Sequence, residues 1–120
     1  MKINKICFDI DGVICSLSKN NNYKKSKPIK KTIKLINSLY IKDIKIILFT
    51  SRFMGRTGEN KTKAKKIGYE FTKKQLNKWG LNYHKLIMGK PSYDLIVDDK
   101  SLFFKKKWQK HLINKINKEK

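Results

Sequence analysis

Apolar and polar positions along the chain alternate between two periods. Lys5-Ile6-Cys7-Phe8 is a short apolar run that stops at Asp9, with Gly12 three residues later, and it predicts a buried strand ending in a turn. Residues 16–27 are polar and rich in asparagine, which predicts a loop or small flap. From Pro28 the period becomes helical, with Ile29, Ile33, Ile36 and Tyr40 spaced by three and four residues as far as Asp43. Ile44 to Phe49 predicts the second strand, ending at Thr50-Ser51-Arg52. A glycine-bearing, lysine-rich loop over 53–66 precedes a short helix over Thr72–Trp79, stopped by Gly80. Tyr83–Met88 predicts a third strand, and Tyr93–Val97 a fourth that ends at Asp98-Asp99. Phe104, Trp108, Leu112 and Ile116 stand four apart on an amphipathic tail helix.

Strands alternating with helices imply βαβ units, hence an α/β, Rossmann-like three-layer sandwich with a mainly parallel sheet. One domain over residues 1–120 is expected from the length and from the absence of a linker or repeat. In such sheets ligands bind at the carboxyl ends of the strands. Those ends are Asp9, Thr50, the Gly89-Lys90 region and Asp98, so four polar tips are expected on one rim.

Composition first distracts and then sharpens this picture. Thirty Lys plus Arg against nine Asp plus Glu give a formal charge of +21. That charge suits a polyanion partner, but 28 of the 30 basic residues are lysines scattered along the whole chain. Lys, Asn and Ile together make 54 of the 120 residues, the bias expected of A- and T-rich codons. A solvated lysine coat is therefore favoured over a dedicated nucleic-acid face. The acids are more informative: four of the nine form two tight pairs, Asp9/Asp11 and Asp98/Asp99, at the ends of apolar runs. Paired carboxylates repel unless a cation or shared proton offsets them. No apolar run approaches the roughly 18 residues that span a bilayer, so no membrane partner is expected. Met1–Lys5 has no hydrophobic signal region, and two cysteines, Cys7 and Cys15, fit a reducing compartment, which together predict a cytoplasmic location.

Two carboxylate pairs, a hydroxyl (Thr50), an ammonium (Lys90) and a glycine that lets backbone N–H groups approach closely (Gly12) suit phosphoryl transfer with a hard divalent cation. A carboxylate can serve as the nucleophile. Phe8-Asp9-Ile10-Asp11-Gly12-Val13-Ile14 resembles the DxDG signature of the haloacid dehalogenase superfamily of phosphohydrolases. Phe49-Thr50-Ser51-Arg52 is similar to that family's second motif, Gly89-Lys90-Pro91 to its third, and Ile96-Val97-Asp98-Asp99-Lys100 to its fourth. The four occur in family order over essentially the whole chain. The run from Gly89 to Lys100, with Thr72–Leu76, Trp79-Gly80 and Tyr83-His84, resembles a compact subgroup found with capsule and surface-sugar biosynthesis.

The resemblance implies a Mg²⁺-dependent phosphomonoesterase in which Asp9 takes the phosphoryl group and Asp11 acts as acid and then base. It implies that Gly12, Thr50, Ser51 and Lys90 hold the phosphate, and that Asp9, Asp98 and Asp99 bind the metal together with the backbone carbonyl of Asp11. Only seven residues separate Lys90 from Asp98, which leaves Lys85 and Lys100 as alternatives for the phosphate lysine. No insertion is long enough for a cap domain. Capless relatives act on large substrates or complete the site by homo-oligomerising. The loop Arg52–Arg56 carries the only two arginines, and both are expected to contact a small phosphorylated substrate, such as a sugar or polyol phosphate. The alternatives are a phosphatase for nucleic-acid 3′-ends and a basic nucleic-acid-binding protein with a decayed site.

Overall fold

The structure is a computed structural model that describes residues 2–119. Its framework is a three-stranded, all-parallel sheet in the order β1-β2-β3, formed by β1 (Lys5–Phe8), β2 (Lys45–Thr50) and β3 (Lys85–Met88). The register pairs Phe8 with Leu48 and Thr50 with Met88, so all three strands present their carboxyl ends to one rim. Helices α1 (Lys30–Ile41) and α2 (Lys61–Lys78) make the crossovers, and α3 (Trp108–Lys118) closes the chain. This is an α/β, Rossmann-like sandwich without a cap domain. No helix among the described residues is long and apolar enough to cross a membrane.

Alternation along the strands decides where the core sits. Phe8, Ile46, Leu48, Leu86 and Met88 are buried, while Ile47, Phe49 and Ile87 on the other face are half-buried and Cys7 is exposed. Helix α1 adds Ile33, Leu35, Ile36 and Leu39 to the buried set. Trp108 of α3 stands 6.4 Å from the Phe8 ring, and the Gln109 side chain donates to Thr32 Oγ1 at 3.2 Å, tying α3 to α1. His84 accepts the Ile46 N–H at 2.9 Å and stacks on Tyr40.

Two predicted elements differ. The expected loop over 53–66 and short helix over 72–79 give way to α2, an 18-residue helix begun by Asn60, whose side chain accepts the Lys63 N–H at 3.0 Å. Its buried stripe is Ala64, Gly68, Thr72 and Leu76, and three of those four are too small or too polar to mark an apolar period. Gly68 is required because the Phe53 ring occupies the place of a side chain there. The second correction concerns the fourth strand. Among the described residues Tyr93–Val97 joins no strand, and it lies exposed, so Asp98 and Asp99 do not sit at a strand tip. An apolar run becomes a strand only where a neighbouring edge accepts its hydrogen bonds, and among the described residues β1 pairs with β2 alone.

Candidate active site at the sheet rim

Asp9 follows β1 directly and keeps 36% of its side-chain exposure. Its Oδ1 accepts the Ile10 N–H at 2.8 Å, which turns Oδ2 toward Lys90, whose Nζ lies 3.3 Å away. Lys90 follows β3, and its backbone N–H donates to the Thr50 carbonyl at 3.1 Å, fixing the tip of β3 to the tip of β2. Of the three lysines considered from sequence, Lys90 is the one beside Asp9; Lys85 starts β3 at the opposite end and Lys100 is exposed. Burial pulls the Lys90 ammonium down, but hydrogen bonding to Tyr93 and the charge of Asp9 outweigh it and leave its pKa above the ordinary lysine value.

Asp11 sits in a tight turn after Asp9. The Gly12 N–H donates to the Cys15 carbonyl at 2.8 Å, and Gly12 takes a φ of 84°, a left-handed conformation that glycine adopts freely. Both Asp11 oxygens are held by Arg52: Nε to Oδ2 and Nη2 to Oδ1, each at 2.9 Å, a two-pronged pairing. Arg52 also donates from Nη1 to Gln75 Oε1 at 2.6 Å and lies 4.6 Å over the Tyr23 ring. The Gln75 amide in turn donates to the Tyr23 carbonyl at 2.7 Å. One guanidinium thus joins the turn after β1, the flap, the tip of β2 and helix α2.

This placement corrects the reading of Arg52 as a substrate-facing side chain: Arg52 is 1% exposed, and Phe53 and Met54 beside it are buried as well. The guanidinium leaves solvent because Asp11, Gln75 and the Tyr23 ring satisfy it from inside. Arg56 remains exposed but is engaged, donating to the Asn21 carbonyl at 2.8 Å and lying over the Phe53 ring. Gln75 belongs to the same network. The rarity of arginine in a lysine-rich chain was the available sign that position 52 is special; its partner could not be read from it.

Thr50 is fully buried, and its Oγ1 accepts the Arg52 N–H at 3.1 Å, shaping the turn after β2. The Ser51 hydroxyl donates to the Pro91 carbonyl at 2.9 Å. Cys15 is buried between Ile10, Asp11 and Arg52. Burial, then the Asp11 charge, push its thiol up to about 12, so no thiolate nucleophile forms there at neutral pH.

The structure therefore brings together Asp9, Asp11, Thr50 and Lys90, and leaves Asp98 and Asp99 apart on the exposed segment. Among the described residues no group of three His, Cys, Asp or Glu side chains could hold a metal ion. Both Asp11 side-chain oxygens are taken by Arg52, so within this rim Asp9 is the carboxylate left to face a cation, with the Asp11 backbone carbonyl beside it.

No family model matches the chain, and no curated protein matches it. Among solved structures, it is similar to a structural-genomics target protein from Vibrio cholerae, with a TM-score of 0.76 at 20% sequence identity. The match covers 96% of this chain and 98% of that one. At this identity the likeness shows a shared fold, and it extends over both chains nearly end to end.

Proposed function

We propose that this protein is a phosphomonoester hydrolase of the haloacid dehalogenase type, with Asp9 as the nucleophile. The observation that carries the reading is the meeting of Asp9 and Lys90 at the carboxyl rim of a parallel sheet, with Nζ 3.3 Å from Oδ2. A carboxylate approaching a phosphate meets repulsion, and an ammonium at this distance offsets the charge of both reactants. Asp9 Oδ2 attacks phosphorus, the bond to the leaving oxygen breaks, and that oxygen takes a proton from Asp11, which has first released one bond to Arg52 and taken that proton from water. Water then attacks the aspartyl-phosphate, gives a proton to Asp11, and releases inorganic phosphate and the free Asp9 carboxylate. Asp11 exchanges protons only when one of its two bonds to Arg52 loosens. Mg²⁺ is the cofactor this chemistry calls for, and no step here is routed through it.

A small phosphorylated metabolite such as a sugar or polyol phosphate fits an open, capless rim. The charge of +21 favours a second substrate class, the 3′-phosphorylated ends of nucleic acids. Salt separates the two, because affinity for a polyanion falls steeply as salt rises. The decisive experiment measures phosphate release from an aryl phosphate, with and without Mg²⁺, in wild type and Asp9→Asn. Release is expected to need Mg²⁺ and to vanish in the variant; full activity in Asp9→Asn, or in excess chelator, would sink the mechanism.

A further inference from the structure

The ammonium beside Asp9 has a second partner. Lys90 Nζ lies 3.3 Å from Asp9 Oδ2, and it also lies over the Tyr93 ring, 5.2 Å from the ring centre, with a hydrogen bond to Tyr93. An ammonium and a carboxylate with nothing between them close to about 2.7–2.9 Å. This pair stands open at 3.3 Å, although the Lys90 side chain is 13% exposed and largely out of water. We propose that Tyr93 is a positioning residue, which draws the Lys90 ammonium back from Asp9 and keeps the pair open for a phosphoryl group. This role rests on the phosphatase reading above.

Hydrogen bonds fix the turn that carries both side chains. The Lys90 N–H donates to the Thr50 carbonyl at 3.1 Å, and the Ser51 hydroxyl donates to the Pro91 carbonyl at 2.9 Å. The Ser92 N–H donates to Glu59 Oε1, also at 2.9 Å. Between them Pro91 restricts the backbone, because its ring fixes φ. Tyr93 is thereby set three residues from Lys90 on a pinned stretch of chain. Exposure separates it from the run that follows: Tyr93 is 45% exposed, against 83% for Leu95 and 93% for Val97.

The chemistry places two conflicting demands on Lys90. An ammonium closed onto Asp9 would neutralise the carboxylate and cover the oxygen that attacks phosphorus. An ammonium released into water would leave Asp9 and the incoming phosphate to repel each other. An aromatic face attracts a cation without neutralising it, and a phenol oxygen accepts a hydrogen bond from one. Tyr93 therefore competes with Asp9 for the ammonium, and Asp9 keeps its 36% exposure. A carboxylate in place of Tyr93 would hold the lysine too, but it would set a negative charge against the phosphate. A phenol brings no charge at neutral pH.

The test separates kcat from KM. Phosphate release is measured with Mg²⁺ on an aryl phosphate and on an acyclic alkyl phosphate, which has no ring to stack on Tyr93. Tyr93→Leu should lower kcat about 10-fold on both with KM changed less than about twofold, the loss expected when a hydrogen bond to a charged group is removed. Tyr93→Phe, which keeps the ring without the hydroxyl, should fall between wild type and Tyr93→Leu. Lys90→Ala should lose about 100-fold, and adding Tyr93→Leu to it should change kcat less than about twofold, because Tyr93 acts through Lys90. Circular dichroism checks that each variant is folded. An unchanged kcat with a raised KM would make Tyr93 a substrate contact and overturn the positioning role. A further loss of about 10-fold in the double variant would overturn it as well. An inactive wild type would sink the phosphatase reading, and the hold on Lys90 is then read without turnover. It should give a nuclear Overhauser contact between the Tyr93 ring and the Lys90 ε-protons, assigned by their loss in Lys90→Arg. Absence of that contact in the wild type would overturn the hold whatever the activity.

Discussion

Replacing Arg52 tests whether this side chain is structural. It is 1% exposed and makes two 2.9 Å bonds to Asp11 and one of 2.6 Å to Gln75. The ion-pair side chains are 0% and 19% exposed, so solvent screens the pair little and the near-zero value of surface ion pairs does not apply. Removing one partner of a buried pair costs about 3–5 kcal/mol, because the other charge stays behind without compensation. Arg52→Met should lose that amount in urea unfolding followed by circular dichroism. For a domain of this size the melting temperature should fall by roughly 10–20 °C. Arg52→Lys keeps the charge but not the planar fork, and should lose about 2 kcal/mol, which guards against the methionine variant failing to fold. A double-mutant cycle with Asp11→Asn should return a coupling of about 2 kcal/mol. A loss below about 1 kcal/mol in both variants, with reduced substrate affinity, would refute the buried network and return Arg52 to a substrate-facing role.

Two further outcomes follow from packing and burial. Gly68→Ala should destabilise by about 1–3 kcal/mol despite alanine's better helix propensity, because the new methyl meets the Phe53 ring; equal or greater stability in thermal unfolding would contradict this packing. Cys15 should resist a thiol reagent in the native protein while exposed Cys7 reacts, both reacting after denaturation. The Cys15 thiol ionises near 9.0 unfolded and at about 12 folded, so its contribution is constant below pH 9 and stability falls above it as only the unfolded state loses the proton. Cys15→Ala should flatten that alkaline decline, and an unchanged slope would refute the burial assigned to the thiol.

The sequence was legible wherever apolar side chains repeat with a period. Ile6 and Phe8, Ile46 and Leu48, and Leu86 and Met88 marked three strands, and Ile33, Ile36 and Tyr40 marked α1, because each element has a greasy face to bury. The amino-terminal half of α2 was hidden, since Ala64 and Gly68 are small where Phe53 fills the space. The carboxyl-end rule puts Asp9, Thr50 and the Gly89-Lys90 region on one rim, as strand polarity fixes which end of an element a residue occupies, but it wrongly adds Asp98, whose run forms no strand among the described residues. The grip of Arg52 on Asp11 was not legible, because it joins positions 41 apart through a buried contact and leaves no local pattern.

What the sequence determined by itself was the α/β class, the strand tips and the scarcity of acids around which a site could form. Those properties are local, carried by period and composition. What only the tertiary structure decided was which of those acids meet, and whether 93–97 has an edge to join. Asp11 went to Arg52, and Asp98 and Asp99 stayed on a segment that joins no strand among the described residues. Hydrogen bonding in a sheet belongs to a pair of strands, and one strand's sequence does not name its partner.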